Sequence, residues 1–415
     1  MTYLKWVLAA LFAVLAGVLY VGYLTVHPLR MSLLMFLSTV ALALLVATIA
    51  IWFRRAALAV VIPLSIGLFV VGWWLMTLRF MATPDPRTSP DLTRAPGDPG
   101  KGHTAVVYFT HGEPETYNPI GWVNQFREFD EQGIAFVPLL VRPLFAQALR
   151  KHYLIVGRSN HRFMHHQMIK ALERRYREEG DSITRFYLSF LDDSPTPEAG
   201  AIMALNDGCS RMIVSEVFLT VSNHTAEGEN QIKELDIEER FGIPVVFTGP
   251  LYDSETLKRM FVERANANLA GVDKSKVGIL LVGHGQPDEW DEEWPTETEH
   301  ETRFRNDVLD LLVADGFRPE NVSLAWMEFK EPHPAPKVEE FVANGVERVL
   351  YFSAAISADA MHSQYDVPAL VARADVPDDV ALVNLGAWND DPIVIQAIKE
   401  KIDAELRAGR EVAAE

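Results

Sequence analysis

Three uninterrupted apolar stretches open the chain, at residues 6–26, 32–53 and 56–78. Each has the ~20 residues that cross a bilayer as a helix. None contains an acidic residue, and Trp6, Trp52, Trp73 and Trp74 lie near the ends, where indole rings anchor at the membrane interface. A cleaved signal peptide would account for the first stretch but not for three in series. The pattern predicts a multi-pass anchor of three transmembrane helices over residues 1–80, with a lipid bilayer as partner. Lys5, Arg54 and Arg55 flank one side of the spans and Arg30, Arg79 and Arg87 the other, so the positive-inside comparison is nearly tied. Residues 81–103, rich in Pro, Gly, Ser and Thr, read as an exposed linker.

From Thr104 onward the pattern changes. Short apolar runs alternate with amphipathic, charge-rich stretches, as in βαβ units on a parallel sheet. Strands are predicted at 105–110, 135–141, 186–190, 212–219, 245–248, 277–283, 322–326, 348–352 and 381–385. Helices are predicted at 165–179, 198–207, 254–270, 299–314, 336–344 and 392–407. Runs such as VVYF and GILLV carry no alternation, as expected of strands covered on both faces. The arrangement also repeats. VVYFTHGEP, ending at Pro114, and GILLVGHGQP, ending at Pro287, are both apolar runs closing in His-Gly-x-Pro. Each is followed downstream by an apolar run that ends in a second histidine, His224 in MIVSEVFLTVSNH and His362 in RVLYFSAAISADAMH. The fold class is therefore α/β: two similar Rossmann-like parallel-sheet units from an internal duplication, at residues 104–270 and 271–415.

Charge and composition narrow the function. The chain of 415 residues carries a net charge of −18, while residues 1–80 hold five cations and no acid, so the remainder stands at −23. Such a body repels phosphates, and no basic stripe opposes it, so nucleic acid is excluded as a partner. Cys209 is the only cysteine, which rules out an intramolecular disulfide and a thiolate metal cluster. Neither a phosphate-binding G-x-x-x-x-G-K-[ST] loop nor a G-x-S-x-G nucleophile turn occurs.

The candidate chemistry lies with the histidines at strand ends, because ligands in such sheets bind outside the carboxyl ends of strands. His284 and His362 could bind a divalent metal or accept protons from a substrate. Glu328, at the end of a predicted strand, could relay either. Asp288, Glu289, Asp291, Glu292 and Glu293 could form a mouth that attracts a cation, with Trp290 and Trp294 as walls for a flat ligand. His111, Glu113 and His224 are the corresponding candidates of the first unit, for substrate contact or as an alternative working site. His161, His165 and His166 fall on a basic helix and are expected to face solvent or lipid.

These residues resemble the class II tetrapyrrole chelatases, the superfamily of ferrochelatase and sirohydrochlorin cobaltochelatase. LLVGHGQP resembles the strand-end histidine motif of both families. YFSAAISADAMHSQYDVP resembles the cobaltochelatase pattern of an apolar strand, then His, three residues, Asp, an aliphatic residue and Pro. PHPAPKVEEFVANGVERVLYF resembles the helix and strand before that motif, and VSEVFLTVSNHTAEGE the matching turn of the first half of ferrochelatase. The resemblance runs from about Thr104 to Arg407 and omits the spans. It implies ATP-independent insertion of a divalent metal, Fe2+ or Co2+, into a tetrapyrrole. His284 would then be the metal-binding or proton-accepting group and His362 the facing one. Where His362 stands ferrochelatase has glutamate, so that position is cobaltochelatase-like, whereas the duplicated body and membrane attachment suit a ferrochelatase-like enzyme. No permanent cofactor is implied, since the metal is a substrate, and a cytoplasmic location of the soluble part is expected by the same resemblance. A non-catalytic tetrapyrrole or metal carrier on this scaffold is the alternative.

Overall fold

Unbroken apolar runs of this length can satisfy their backbone groups without water only as helices. The computed structural model, which describes residues 2–131 and 137–414, forms them as α1 (Thr2–Thr25), α2 (Pro28–Trp52) and α3 (Arg55–Met81). All three are long and apolar enough to cross a membrane. They belong to a compact unit that runs to Pro86 and also includes Thr116–Arg158, a segment from much further along the chain.

That later segment folds as α4 (Pro119–Glu131) and α5 (Arg142–Val156). It supplies donors where the spans end. A helix leaves its last four carbonyls unpaired; at the end of α1, Arg150 donates to the carbonyls of Tyr23 and Val26, and the Tyr117 hydroxyl donates to that of Thr25. At the end of α3, Arg127 donates to the carbonyls of Met81 and Thr83 at 2.7 and 2.6 Å. The strand expected at 135–141 is not formed. Residues 135 and 136 lie outside the described residues, and Leu139–Val141 is a single 3-10 turn leading into α5. Its apolar side chains join the helical unit rather than a sheet.

The other unit, Arg87–Glu115 with Ser159–Glu415, holds two four-stranded parallel sheets. The first contains β1 (His103–Thr110), β2 (Thr184–Phe190), β3 (Cys209–Glu216) and β4 (Val245–Phe247) in the order β2-β1-β3-β4. The second contains β5 (Val277–Gly283), β6 (Val322–Trp326), β7 (Arg348–Ser353) and β8 (Ala381–Asn384) in the order β6-β5-β7-β8. The two orders are the same topology, which is the internal duplication in three dimensions. The first half carries α6 (His161–Glu178), α7 (Pro197–Asn206), α8 (Asn223–Lys233), α9 (Ile237–Phe241) and α10 (Glu255–Ala267). The second carries α11 (Asp288–Glu293), α12 (Pro295–Ala314), α13 (Pro334–Ala343), α14 (Val367–Val371) and α15 (Pro392–Ala414).

Strand side chains alternate between faces, and this alternation sorts three cores. Ala105, Val107 and Phe109 pack under α7, and Leu280 and Val282 pack under α13. Val106, Tyr108 and Ile213 of one sheet and Ile279, Leu281, Leu350 and Phe352 of the other share a single core with residues of α6, α10, α12 and α15. The two topological halves are therefore not separate compact bodies. Arg264 of α10 reinforces the join, donating to the carbonyls of Leu385, Ala387 and Trp388. The proposed linker is also less free than expected. Arg94 is buried, bonds the Cys209 and Asp98 carbonyls, and receives support from Asn206, whose side-chain oxygen accepts from the Thr93 and Arg94 amides.

Phe261 sits in the shared core against Phe304 and Phe352, with ring centroids 5.7 and 5.1 Å away. Phe261→Ala should cost about 3–5 kcal/mol. Because both halves lose packing together, chemical unfolding followed by near-ultraviolet circular dichroism should show one transition moving to lower denaturant, not a separate early transition of one half.

Candidate functional site

The site is built where β1 and β5 end. His111 directly follows β1 and His284 directly follows β5, and each is succeeded by a glycine with positive φ, +95° at Gly112 and +83° at Gly285. L-residues rarely adopt that conformation. At Gly285 a Cβ would also fall 2.2 Å from the Glu328 carbonyl oxygen. The turn folds each imidazole onto its own glycine: Nδ1 lies 3.1 Å from the Gly112 oxygen in His111 and 2.6 Å from the Gly285 oxygen in His284. A carbonyl only accepts, so Nδ1 carries the proton in both rings and the Nε2 lone pair is left available.

The second histidine of each repeat completes a pair. His224 opens α8, and its ring meets His111 edge to face at 4.8 Å. His362 begins one turn of π-helix, His362–Asp366, and its ring meets His284 edge to face at 5.2 Å. Such turns are rare and frequent at functional sites. Here the turn brings Asp366 under His362, with Oδ2 2.8 Å from Nδ1, so the Nδ1 proton is donated to the carboxylate. His111 has the corresponding partner in Asp192, at 3.1 Å.

The two members of the second pair differ in basicity. Burial, together with the nearby charge of His362, pushes His284 down to about 3. Burial opposes charge on His362 too, but the hydrogen bond and charge of Asp366, with the charges of Glu328 and Glu113, raise it to about 9. One ring is thus neutral and the other cationic at neutral pH. His224 is held well below its usual range chiefly by burial.

Glu113, expected to serve the first unit, in fact reaches the second pair. Its two carboxylate oxygens lie 3.2 and 3.0 Å from the amide of Met361, the residue before His362, and burial raises its pKa. Glu328 is exposed; its amide donates to the His284 carbonyl at 3.1 Å, and its carboxylate acts on His362 through charge. Trp290 is buried beside the first pair, 6.1 Å from His224 and perpendicular to it, while Trp294 is half-buried and its carbonyl accepts from Gln286. The acidic run does not form an open cation mouth at its centre. Asp291 is ion-paired with Lys330 and accepts from Gln286 and Thr298, both at 2.6 Å.

The expectation for His161 and His165 is overturned. They lie on the inward face of α6 with Met168, Leu172 and Tyr176, and only His166 is exposed. His165 is committed to the Tyr108 hydroxyl at 2.8 Å and lies near Ser357 and Thr110, and burial pushes it down to about 3. The i, i+4, i+7, i+11 spacing of the inward residues overrides the basic character of the helix as a whole.

Sequence reasoning missed Glu301 and Arg305. Both are fully buried on α12, one turn apart. Glu301 accepts the His284 amide at 2.9 Å, and Arg305 donates to the carbonyls of Ala325 and Leu281 while lying 3.9 Å above the Trp326 ring. The Glu-x-x-x-Arg spacing is the signal that could have found them. Together they hold the His284 turn against β5 and β6.

Asp366→Asn should lower the pKa of His362 from about 9 toward or below the ordinary 6.5, as read from imidazole carbon resonances of the metal-free protein. Because the folded-state value is the raised one, the interaction stabilises the fold fully below about pH 6.5, and this stabilisation is lost as pH rises through about 9. An unchanged His362 titration in the variant would show that Asp366 does not set it.

Comparison with known proteins agrees with this architecture. The family model described as Ferrochelatase matches residues 103–406. SirB from Bacillus subtilis with Fe3+ superposes with a TM-score of 0.45 at 13% identity, covering 72% of this chain and 94% of that one. The sirohydrochlorin chelatase SirB from Bacillus subtilis subspecies spizizenii in complex with cobalt gives a TM-score of 0.41 at 13% identity with the same coverage. DR2241 from Deinococcus radiodurans, a multi-domain protein with structural similarity to chelatases, gives 0.44 at 13% identity over 72% of this chain and 54% of that one. No curated protein sequence matches significantly. The family match runs from β1 into α15 and takes in both histidine pairs: this chain belongs to the ferrochelatase family.

Proposed function

We propose that this protein is a membrane-anchored, ATP-independent chelatase that inserts a divalent metal, Fe2+ or Co2+, into a tetrapyrrole with loss of two pyrrole N–H protons. The observation that carries the reading is the His284–His362 pair, within a chain of the ferrochelatase family, in which both Nδ1 atoms are tied to acceptors and both Nε2 atoms remain for a ligand. Imidazole nitrogen suits both metals. No permanent cofactor takes part; the metal is substrate.

The pair can serve both halves of the exchange. When the Nε2 lone pairs of His284 and His362 hold the incoming cation, the proton of His362 is displaced. When the ion passes into the macrocycle, two lone pairs are freed as two pyrrole protons must be accepted. One divalent ion is exchanged for two protons, so the charge of the pair returns to balance. His362, the stronger base, retains its proton, while His284, disfavoured as a cation, hands its proton on. Asp366 fixes the tautomer of His362, and Gly285 and Glu301 fix the orientation of His284. A planar tetrapyrrole presents its lone pairs poorly to a metal, so binding energy spent on bending it would lower the barrier further.

In this reading α1, α2 and α3 anchor the enzyme in a bilayer as a multi-pass protein, consistent with their length and composition. The catalytic body is assigned to the cytoplasmic side, following the family.

The test is anaerobic incubation of the full chain with protoporphyrin or sirohydrochlorin and Fe2+, Co2+ or Zn2+, followed by absorbance. Metallated product should form with the intact protein. His284→Ala and His362→Ala should each reduce its rate by ~10²-fold or more while tetrapyrrole binding persists, and His111→Ala should have the smaller effect. If the intact protein binds tetrapyrrole but yields no product with any metal, the enzyme reading is wrong and the protein is a carrier.

A further inference from the structure

The two copies of the His-Gly-x-Pro turn diverge at the residue after the glycine. In the second copy that residue is Gln286, which stays within its own half: its side-chain amide donates to Asp291 and to the Trp294 carbonyl, at 2.6 and 2.9 Å. In the first copy it is Glu113, whose carboxylate crosses to the other half and accepts the Met361 amide. Duplication by itself would have left the same contact in both copies.

The difference answers a need of the receiving turn. A helical turn leaves its first amides without partners of its own. Where α8 begins beside His224 the need is met locally, by the capping box of Ser222 and Thr225. In the turn that carries His362, the Ser363 hydroxyl accepts the Ala360 amide at 3.0 Å. The next amide, that of the buried Met361, is taken by Glu113. A buried amide that lost this acceptor would be left unpaired, which a fold tolerates poorly.

Glu113 is itself held in place. The hydroxyl of the buried Ser159 bonds its carboxylate, and the Ser159 amide donates to the Glu115 carbonyl at 3.0 Å. One residue on, the Asn160 amide donates to the side-chain oxygen of Gln364 at 2.9 Å, a second bond between this corner of the first half and the π-turn. The carboxylate therefore sits on a fastened loop, and the amide it holds lies directly before His362. A histidine that is to bind a metal needs its ring direction fixed from behind.

We propose that Glu113 is a positioning residue for His362: by holding the Met361 amide from the other half of the duplication, it fixes the start of the π-turn and so the direction of the His362 Nε2 lone pair. The role rests on the reading of His284 and His362 as the metal-handling pair. It makes that pair incomplete without a side chain of the first half.

The experiment compares the full chain in detergent micelles with Glu113→Met and Glu113→Gln, folding being checked by far-ultraviolet circular dichroism. Met fills similar space without an acceptor. Gln removes the charge but keeps an oxygen that can accept the Met361 amide. Two quantities are read: Co2+ affinity without tetrapyrrole, from the visible absorption of the bound ion, and kcat and KM for Co2+ insertion into sirohydrochlorin, per folded molecule. Glu113→Met should weaken Co2+ binding and lower kcat, each by about 10- to 100-fold. Its KM for the tetrapyrrole should stay within about twofold, and Glu113→Gln should stay within about threefold of the unaltered protein throughout. If Glu113→Met does not fold, Glu113→Ala is held to the same outcomes. The proposal is overturned if the variant without an acceptor keeps its Co2+ affinity and kcat, or if Glu113→Gln loses as much as that variant, which would assign the effect to charge. If the unaltered protein binds Co2+ but makes no product, the chelatase reading falls and the Co2+ affinities still decide the role of Glu113. If it does neither, the pair does not handle metal and both readings fall.

Discussion

A parallel sheet needs cover on both faces, and that requirement organises the α/β body. Each four-stranded sheet buries one face under its own helices. The other faces share a layer drawn from both halves, with Phe261 of the first half packed on Phe304 and Phe352 of the second. Neither half can bury its inner face alone. The shared layer also fixes the carboxyl ends of β1 and β5 relative to each other, which is why Glu113, carried by the first half, can hold the amide next to His362 in the second.

On this frame, small asymmetries between two similar turns decide the electrostatics. Both His-Gly turns leave an Nε2 lone pair free. The second is braced from below by the buried Glu301 and Arg305, and its partner ring is charged by Asp366. An uncompensated carboxylate or guanidinium buried at that depth would be strongly destabilising. Glu301 and Arg305 tolerate it by facing each other and by bonding backbone groups, the His284 amide for one and the Leu281 and Ala325 carbonyls for the other. The bracing therefore positions His284 without adding a free charge to the site.

The helical unit obeys the opposite rule. There arginines turn inward, because helix-end carbonyls and Asp130 give them partners, and leucines turn outward. The polar groups buried in this unit find acceptors inside it, and Leu144, Leu154 and Ile155 of α5 remain exposed.

Much of this was legible in the chain itself. Eight of the nine predicted strands form, because a short run of β-branched and aromatic residues bounded by turns has few alternatives; β5 and β6 match residue for residue. The repeated His-Gly ends marked both histidine pairs, since a positive-φ glycine after a strand is a local requirement. Other features were not local. The strand expected at 135–141 gives way to a 3-10 turn in the helical unit, because apolar character does not specify which core receives it. The orientation of His161 and His165 toward Tyr108 depended on which face of α6 met the shared core. The joining of Thr116–Arg158 to the spans depended on unpaired carbonyls more than a hundred residues away. The sequence alone determined the three long apolar helices, eight strands, the duplication and the chemical groups at the strand ends, all of which follow from short-range sterics and periodicity. Only the tertiary structure decided which histidine is charged, which carboxylate holds it there and which helix turns its leucines outward, because burial and charge are set by neighbours that the order of residues does not name.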